Sequence, residues 1–364
     1  MNVKRDQYYM GLALKLALKA KGKTSPNPMV GAVVVKNGRI IGRGFHARAG
    51  LAHAEIVALD QAGNKAKGAT LYVTLEPCAH TGRTPPCADR IARSGIKEVV
   101  VGMIDPNPLN NGKGVLLLKQ GGIVVRTGIL GERIKKLNEP FVKYITRGLP
   151  FVTVKVAQSL DGRIATFTGD SKWISSDKSR AFAHRRRRDY DAIMVGVNTV
   201  LRDNPRLEAV PAKRGLVKIV IDSNLSTPAD SQIFSGAGKV VIFTLPFPPG
   251  QETENRKNLA AKCTIVEAKE KNGQVNLNDA MKKIARMGIS NLIVEGGGTL
   301  IGSLFDERLV DKVLFFVSPK IIGGREAISS VMGNGVKRIE QCVKLGKFKT
   351  RRFSDDLLIE ADVA

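Results

Sequence analysis

His53-Ala54-Glu55, then Glu76-Pro77-Cys78, then Pro85-Pro86-Cys87, is the stretch on which the reading of this chain turns. It supplies one imidazole, two thiols and a carboxylate that a three-ligand metal site does not need. That inventory matches a zinc site with His53, Cys78 and Cys87 as ligands, a fourth position left for water, and a general acid/base beside it. A structural zinc site would close its fourth position, and nothing nearby in the sequence offers a better fourth ligand. The pattern points to hydrolytic deamination of a nitrogen heterocycle. Zinc brings the pKa of bound water to about 7. Attack on an amino-bearing ring carbon then needs a proton carried to the ring nitrogen and the departing ammonia, and Glu55 is the carrier. Residues two apart lie about 200° around a helix axis. His53 and Glu55 therefore serve one ion only if they open a helix. Pro85 and Pro86 suit the entry to a second helix containing Cys87, where the helix N-terminus favours the thiolate.

Two plainer readings stand beside this one. Cys78 and Cys87 could pair as a disulfide, or be inert buried thiols with His53 on the surface. Cys263 and Cys342 lack any comparable context and read as packing residues.

Outward from the motif, the first half reads as a layered α/β domain. Tyr9, Leu12, Ala13, Leu16, Ala17 and Ala20 recur at helical spacing between Asp6 and Lys21. Val30 to Val35 and Arg39 to Gly42 read as strands joined by the hairpin signal Asn37-Gly38. A helix from Ala52 to Ala62, a strand from Ala69 to Leu75, the Cys87 helix and a strand from Ile96 to Gly102 follow. A polar helical stretch around Glu132 to Lys143 closes this half. At 364 residues the chain has room for two domains with separate cores, and the boundary is placed to give 1–147 and 148–364. In the second half, strands at Phe151 to Ala157, Asp191 to Val197, Val217 to Ile221, Lys239 to Phe243, Cys263 to Glu267 and Asn291 to Val294 alternate with helical patterns, which argues for a largely parallel sheet. Glu295-Gly296-Gly297-Gly298-Thr299 joins the last of these strands to a helix. Such a turn lets a phosphate approach the backbone, although tight packing alone also explains it.

The quoted motifs, with Pro26-Asn27-Pro28-Met29-Val30-Gly31-Ala32, His80 and Pro85-Pro86 between the cysteines, and Asp105-Pro106-Asn107-Pro108, resemble the deaminase domain of the bifunctional riboflavin-biosynthesis (RibD) family. The long spacer between the cysteines departs from the Pro-Cys-x-x-Cys spacing of nucleoside and nucleic-acid deaminases. Lys155, Ala157-Gln158-Ser159-Leu160-Asp161-Gly162, Gly169-Asp170-Ser171-Lys172-Trp173-Ile174, Gly196-Val197-Asn198-Thr199-Val200, Asp203-Asn204-Pro205 and Val294 to Gly298 resemble the reductase domain of the same family.

The resemblance implies a cytidine-deaminase-like three-layer α/β/α domain followed by a dihydrofolate-reductase-like α/β domain. It also implies zinc on His53, Cys78 and Cys87, with Glu55 as proton shuttle. Asn27, His46, His80, Arg83, Asp105 and Asn107 would shape the pyrimidine and ribose-phosphate pocket. NADPH contacts would fall on Gln158, Trp173, Thr199, Asp203, Gly297, Gly298, Thr299, Leu300, Ile301 and Gly302. Lys155, Ser171, Arg187, Leu207 and Glu295 would meet the second substrate, with Lys155 and Asp203 as candidate proton donors. The expected chemistry is deamination of a phosphoribosylated diaminopyrimidine, then reduction of its ribosyl group to ribityl. One departure stands out: Glu208 and Val210 occupy positions where the family commonly has threonine and arginine. Arg187, Arg206 or Arg214 are the candidates to compensate, and a decayed reductase is the corresponding alternative.

The net charge of +25 raises a nucleic-acid alternative, an RNA-editing deaminase with a C-terminal binding module. Against it, lysines are dispersed and aromatics make up only 5% of residues, too few for base-stacking platforms. The Arg185 to Arg188 run reads as a solvated helix face with Arg187 turned toward a pocket. No apolar run approaches a membrane span, and Lys4, Arg5, Asp6 and Lys15 interrupt any secretory core. The expectation is a cytoplasmic homo-oligomeric enzyme acting on small molecules.

Overall fold

The computed structural model describes residues 3–79, 86–212, 215–247 and 253–364, which fall into two compact units, Met1–Leu149 and Pro150–Ala364. In the first, α1 (Val3–Ala17) precedes β1 (Gly31–Lys36), β2 (Arg39–Phe45), α2 (Ala54–Ala62), β3 (Thr70–Leu75), α3 (Cys87–Arg93), β4 (Glu98–Met103), α4 (Lys113–Gln120), β5 (Val124–Thr127), α5 (Gly131–Leu137) and α6 (Glu139–Arg147). The strands form one sheet in the order β2-β1-β3-β4-β5. β1 runs antiparallel to both its neighbours, and β3, β4 and β5 are parallel. Asn37 and Gly38, at φ 50° and 75°, form the tight turn of the β1–β2 hairpin.

Side chains alternate across a strand, and here both faces are apolar. Ala32, Val34, Leu71, Val73, Val99 and Val101 pack against Ala58 and Leu59 of α2, Ile91 of α3 and Leu118 of α4. Val33, Tyr72 and Val100 face Met10 and Ala13 of α1 and Ile134 of α5. The result is three layers, α/β/α.

The α2 helix lies on β2 with no space for a side chain between them. A Cβ on Gly42 would sit 2.1 Å from the Ala58 carbonyl oxygen, and one on Gly44 2.1 Å from that of Ala54. This contact sets the depth at which His53 and Glu55 enter the structure.

One expectation is corrected. The polar stretch from Glu132 is two helices rather than one, broken at Asn138 (φ −104°, ψ 20°). The Asn138 side chain is buried, accepting from the Met29 N–H at 2.8 Å and donating to the Met29 carbonyl at 3.1 Å. That pairing and Pro140, which has no N–H to offer the Lys136 carbonyl and crowds it, account for the break.

The second unit contains β6 (Phe151–Ser159), β7 (Arg163–Ala165), α7 (Asp177–Arg186), β8 (Ala192–Gly196), α8 (Val197–Asp203), β9 (Val217–Ile221), β10 (Val240–Thr244), α9 (Glu254–Ala260), β11 (Thr264–Glu267), β12 (Glu270–Lys271), β13 (Gln274–Val275), α10 (Leu277–Arg286), β14 (Asn291–Val294), α11 (Gly298–Asp306), β15 (Lys312–Ser318), β16 (Ile328–Ser329), β17 (Lys349–Phe353) and β18 (Asp356–Asp362). Nine of the strands form a sheet in the order β11-β10-β9-β8-β14-β6-β15-β18-β17. It is parallel except for β18 and β17, which are added antiparallel at one edge. Neighbouring strands β8 and β14 each feed a helix through a glycine N-cap, Gly196 and Gly297. Their carboxyl ends therefore open at adjacent places, where parallel sheets build ligand sites. Among the described residues no helix is long and apolar enough to cross a membrane.

Gly44→Ala forces β2 and α2 apart. Overpacking of this kind should cost about 1–3 kcal/mol, read as a lower denaturation midpoint of the first unit; an unchanged midpoint would show that the helix is free to shift.

Candidate active sites

In the first unit, the ends of two helices and one strand converge. His53 is the N-cap residue of α2 (φ −72°, ψ 161°), and Glu55 lies in its first turn. Cys87 is the first residue of α3, behind Pro86 as N-cap. Cys78 sits in the loop just past the end of β3. His53 Nδ1 is 3.1 Å from Cys87 Sγ and 3.7 Å from Cys78 Sγ. All three ligand atoms lie within 4.8 Å of one another. A tetrahedral zinc ion with bonds of about 2.0–2.3 Å spaces its ligands by about 3.3–3.8 Å. The imidazole and two thiols thus fit that ion in both donor type and spacing. The Cys87 N–H also donates to Cys78 Sγ at 3.2 Å. Contact with Cys87, aided by the His53 imidazole, holds the Cys78 thiol well below its usual range even though burial opposes this.

A cavity of about 380 Å³ opens over this cluster, lined by Asn27, His46, His53, Glu55, Cys78, Asp105 and Asn107, with Phe141 and Tyr144 from α6. Glu55 is 3% exposed, and burial pushes its carboxyl up to about 7. His46 is also buried, and that burial lowers its pKa. Its Nδ1 lies 3.2 Å from the Ala52 carbonyl, which can only accept, so Nδ1 carries the hydrogen. Nε2 of the neutral ring then accepts from the Asn27 amide at 3.3 Å. His80 and Arg83 lie outside the described residues.

Glu76 was not legible as a loop anchor. Buried in the Glu-Pro-Cys motif, its carboxylate accepts from the backbone N–H groups of Asp105 (3.0 Å), Gly112 (2.9 Å) and Val115 (3.1 Å). Three such donors satisfy a buried carboxylate without a cation, so Glu76 is committed to the loop. Motif spacing cannot distinguish that role from one at a metal. Asn110 and the aromatic pair on α6 also went unread, because their partners are distant in sequence.

In the second unit a cavity of about 580 Å³ is lined by Lys155, Ser171, Trp173, Arg187, Thr199, Asp203, Leu207, Glu295 and Gly297. Arg187 grips Glu295 with two bonds of 2.9 Å, and Lys155 Nζ is 3.6 Å from the same carboxylate. Burial alone would raise the Glu295 pKa, but Arg187 and Lys155 hold it at about 2. Within the arginine run, Arg185 and Arg188 are exposed, Arg186 is half-buried and Arg187 is buried, so the run is a solvated face only in part. The Arg180 guanidinium stacks 4.2 Å from the Trp173 ring centroid, and Lys320 donates to the Trp173 carbonyl at 2.7 Å. Glu208, Val210, Arg206 and His184 also line the cavity. The wall expected to carry threonine and arginine thus carries a carboxylate and an isopropyl group. Arg187 is engaged by Glu295, Arg206 remains at the cavity, and Arg214 lies outside the described residues. His184 was missed because a lone histidine in a basic helix has no motif.

The expected dinucleotide loop is brought to the cavity only in part. Gly297 lines it, and a Cβ there would meet open space. Gly298 and Gly302 instead allow close packing, since a Cβ would lie 2.2 Å from the Ser329 carbonyl oxygen or 1.9 Å from that of Met332. Leu300 and Ile301 are buried, and Thr299 is exposed. On β6, the buried side-chain oxygen of Gln158 has no hydrogen-bond partner in the structure. That orphaned acceptor and, separately, the glycine-capped N-terminus of α11 at the cavity fit an amide- and phosphate-bearing cofactor such as NADPH, although Gln158 itself does not line the cavity.

Comparison with known proteins assigns a family to each unit. Residues 3–103 match the family model of the cytidine and deoxycytidylate deaminase zinc-binding region, and residues 150–359 match that of the RibD C-terminal domain. The riboflavin biosynthesis protein RibD of Aquifex aeolicus is 46% identical over 356 residues, covering 97% of each chain. The chain belongs to the RibD family. RibD of Bacillus amyloliquefaciens is 40% identical over 359 residues, covering 98% of this chain and 96% of its own. Among solved structures, Acinetobacter baumannii RibD superposes with TM-score 0.89 at 34% identity. A Thermotoga maritima diaminohydroxyphosphoribosylaminopyrimidine deaminase/5-amino-6-(5-phosphoribosylamino)uracil reductase does so with TM-score 0.87 at 36% identity. Both cover 100% of each chain. The second half is accounted for as the RibD reductase fold, which displaces the nucleic-acid-binding alternative.

Glu295→Gln removes the counter-charge of buried Arg187 and half-buried Lys155. Breaking one side of such a pair costs about 3–5 kcal/mol, to be read as loss of stability of the second unit in a denaturant titration.

Proposed function

We propose that this RibD-family chain deaminates a diaminohydroxyphosphoribosylaminopyrimidine in its first unit and reduces the resulting 5-amino-6-(5-phosphoribosylamino)uracil in its second, with zinc and NADPH as cofactors. The observation that carries the reading is the meeting of His53, Cys78 and Cys87 beside buried Glu55 in one cavity.

His53, Cys78 and Cys87 would hold zinc. When bound, the ion supplies the Lewis acidity that activates water near neutral pH. Glu55 takes one proton from the attacking water and gives it to the ring nitrogen, then carries the second proton from the added hydroxyl to the leaving amine, so that water and an amino group become a carbonyl and ammonia. Asn27, His46, Asp105 and Asn107 orient the pyrimidine and its ribose-phosphate, and we assign His80 and Arg83 to the same pocket.

In the second unit Gln158, Trp173, Thr199, Asp203 and the turn from Gly297 to Gly302 would hold NADPH, which supplies a hydride when bound. Lys155, Ser171, Arg187, Leu207 and Glu295 position the ribosyl group. Carbon 1′ gains the hydride, its bond to the ring oxygen breaks, and that oxygen takes a proton to become the 4′-hydroxyl. Lys155 and Asp203 are the candidate donors of this proton. The contribution of the chain is orientation.

We further infer a cytoplasmic, self-associating enzyme. The four cysteines are free thiols, which suits a reducing compartment. Residues 331–345 are exposed throughout, with Ile339 86% exposed, beside the edge strand β17. Apolar side chains exposed along a polar segment that leads into an open strand edge are the kind of surface a second copy covers.

Glu55→Gln should retain about one zinc per chain and lose ammonia release by about 10²-fold or more. It should still oxidise NADPH when given the deaminated substrate. Preserved ammonia release would remove Glu55 from its role, and loss of zinc would make it a ligand.

A further inference from the structure

Asn110 touches both loops that meet at the deaminase cavity. Its side chain is fully buried. Oδ1 accepts from the Ala79 N–H at 2.8 Å, while Nδ2 donates to Asp105 Oδ2 at 3.2 Å and to the Pro77 carbonyl at 3.4 Å. Pro77 and Ala79 are the two neighbours of Cys78. The remaining Asp105 oxygen accepts from the Asn107 N–H at 2.9 Å. Asn107 Oδ1 accepts from the Leu109 N–H at 3.1 Å, which turns its amide nitrogen to the other side. One carboxamide therefore joins the backbone on both sides of a thiol of the metal cluster to the segment carrying Asp105 and Asn107.

The chemistry of the partners is selective. Ala79 offers a donor, whereas Asp105 and Pro77 offer acceptors, and only a group with an acceptor on one branch and a donor on the other satisfies all three. A carboxylate would set oxygen against the Asp105 carboxylate. An apolar side chain would strand one N–H and two acceptors in a buried place. Glu76 already ties down the backbone of the 105–115 segment, so Asn110 is not needed merely to close the loop. What it adds is control of the Asp105 side chain relative to Cys78.

We propose that Asn110 is a positioning residue of the deamination step, fixing the substrate-facing Asp105–Asn107 segment in register with Cys78. This rests on the reading of that cavity as the deaminase site.

The test uses the full-length zinc-loaded chain with Asn110→Ala, Asn110→Asp, Asp105→Asn and the double variant Asn110→Asp/Asp105→Asn. For each, the KM and kcat of ammonia release, zinc per chain, and NADPH oxidation with the deaminated substrate are measured. Both Asn110 variants should raise the deamination KM by about tenfold or more, with a smaller change in kcat, unchanged zinc and an unchanged reductase rate. The double variant again sets a donor against an acceptor between positions 105 and 110, gives up the long Pro77 contact, and should recover part of the KM lost by Asn110→Asp. An unchanged KM, activity lost in proportion to zinc, or single effects that simply multiply in the double variant would each overturn the proposal. Should Asn110→Asp fail to fold, the KM of Asn110→Ala decides. A wild-type chain that releases no ammonia would sink the deaminase reading itself, a separate outcome.

Discussion

The close seating of α2 on β2 is the constraint on which the first unit depends. Gly42 and Gly44 bring helix carbonyls almost onto the strand, and that contact fixes where the helix begins. Its N-cap is His53, so the position of the imidazole is set by the packing of the helix it opens. Cys87 opens α3 in the same manner. Two helix starts and one strand end thus deliver three soft donors to one point, and a carboxyl that follows the histidine by two residues comes with them.

Burying negative charge is costly, and the two units meet the cost differently. Glu76 is satisfied by backbone N–H groups and so fastens a loop. Glu295 is satisfied by Arg187 and Lys155, and so sits ionised among cations that also border a cavity. Glu55 has neither arrangement, and its carboxyl rises toward neutrality. Three glutamates, Glu55 and Glu76 buried and Glu295 half-buried, thus have three sets of partners, and the carboxyl not held ionised is the one proposed above to carry the proton.

Much of this was legible in the residues. The period-two and period-3.6 patterns located the strands that face both layers, and Asn37-Gly38 marked its hairpin. The requirement that His53 and Glu55 serve one ion placed them at a helix start. Less local features escaped. The break at Asn138 depends on Met29, the Asn110 contacts depend on residues around Cys78, and of the antiparallel strands β17 is exposed along nearly its whole length and β18 is buried only at intervals, both carrying charges in place of the buried apolar run of β14. The loop after Gly297 illustrates a different limit. Glycine serves close packing as readily as ligand approach, and sequence alone did not separate Gly302, pressed against Met332, from Gly297, which faces the cavity.

The placement of Trp173 has an optical consequence. It is the single tryptophan of the chain, 62% exposed and stacked beneath Arg180 at the cavity of the second unit. Indole fluorescence therefore reports from one of the two cavities alone. Quenching or a wavelength shift on titration is a built-in signal for occupancy of the reductase cavity, since the zinc-side cavity is lined by Phe141 and Tyr144 but by no indole.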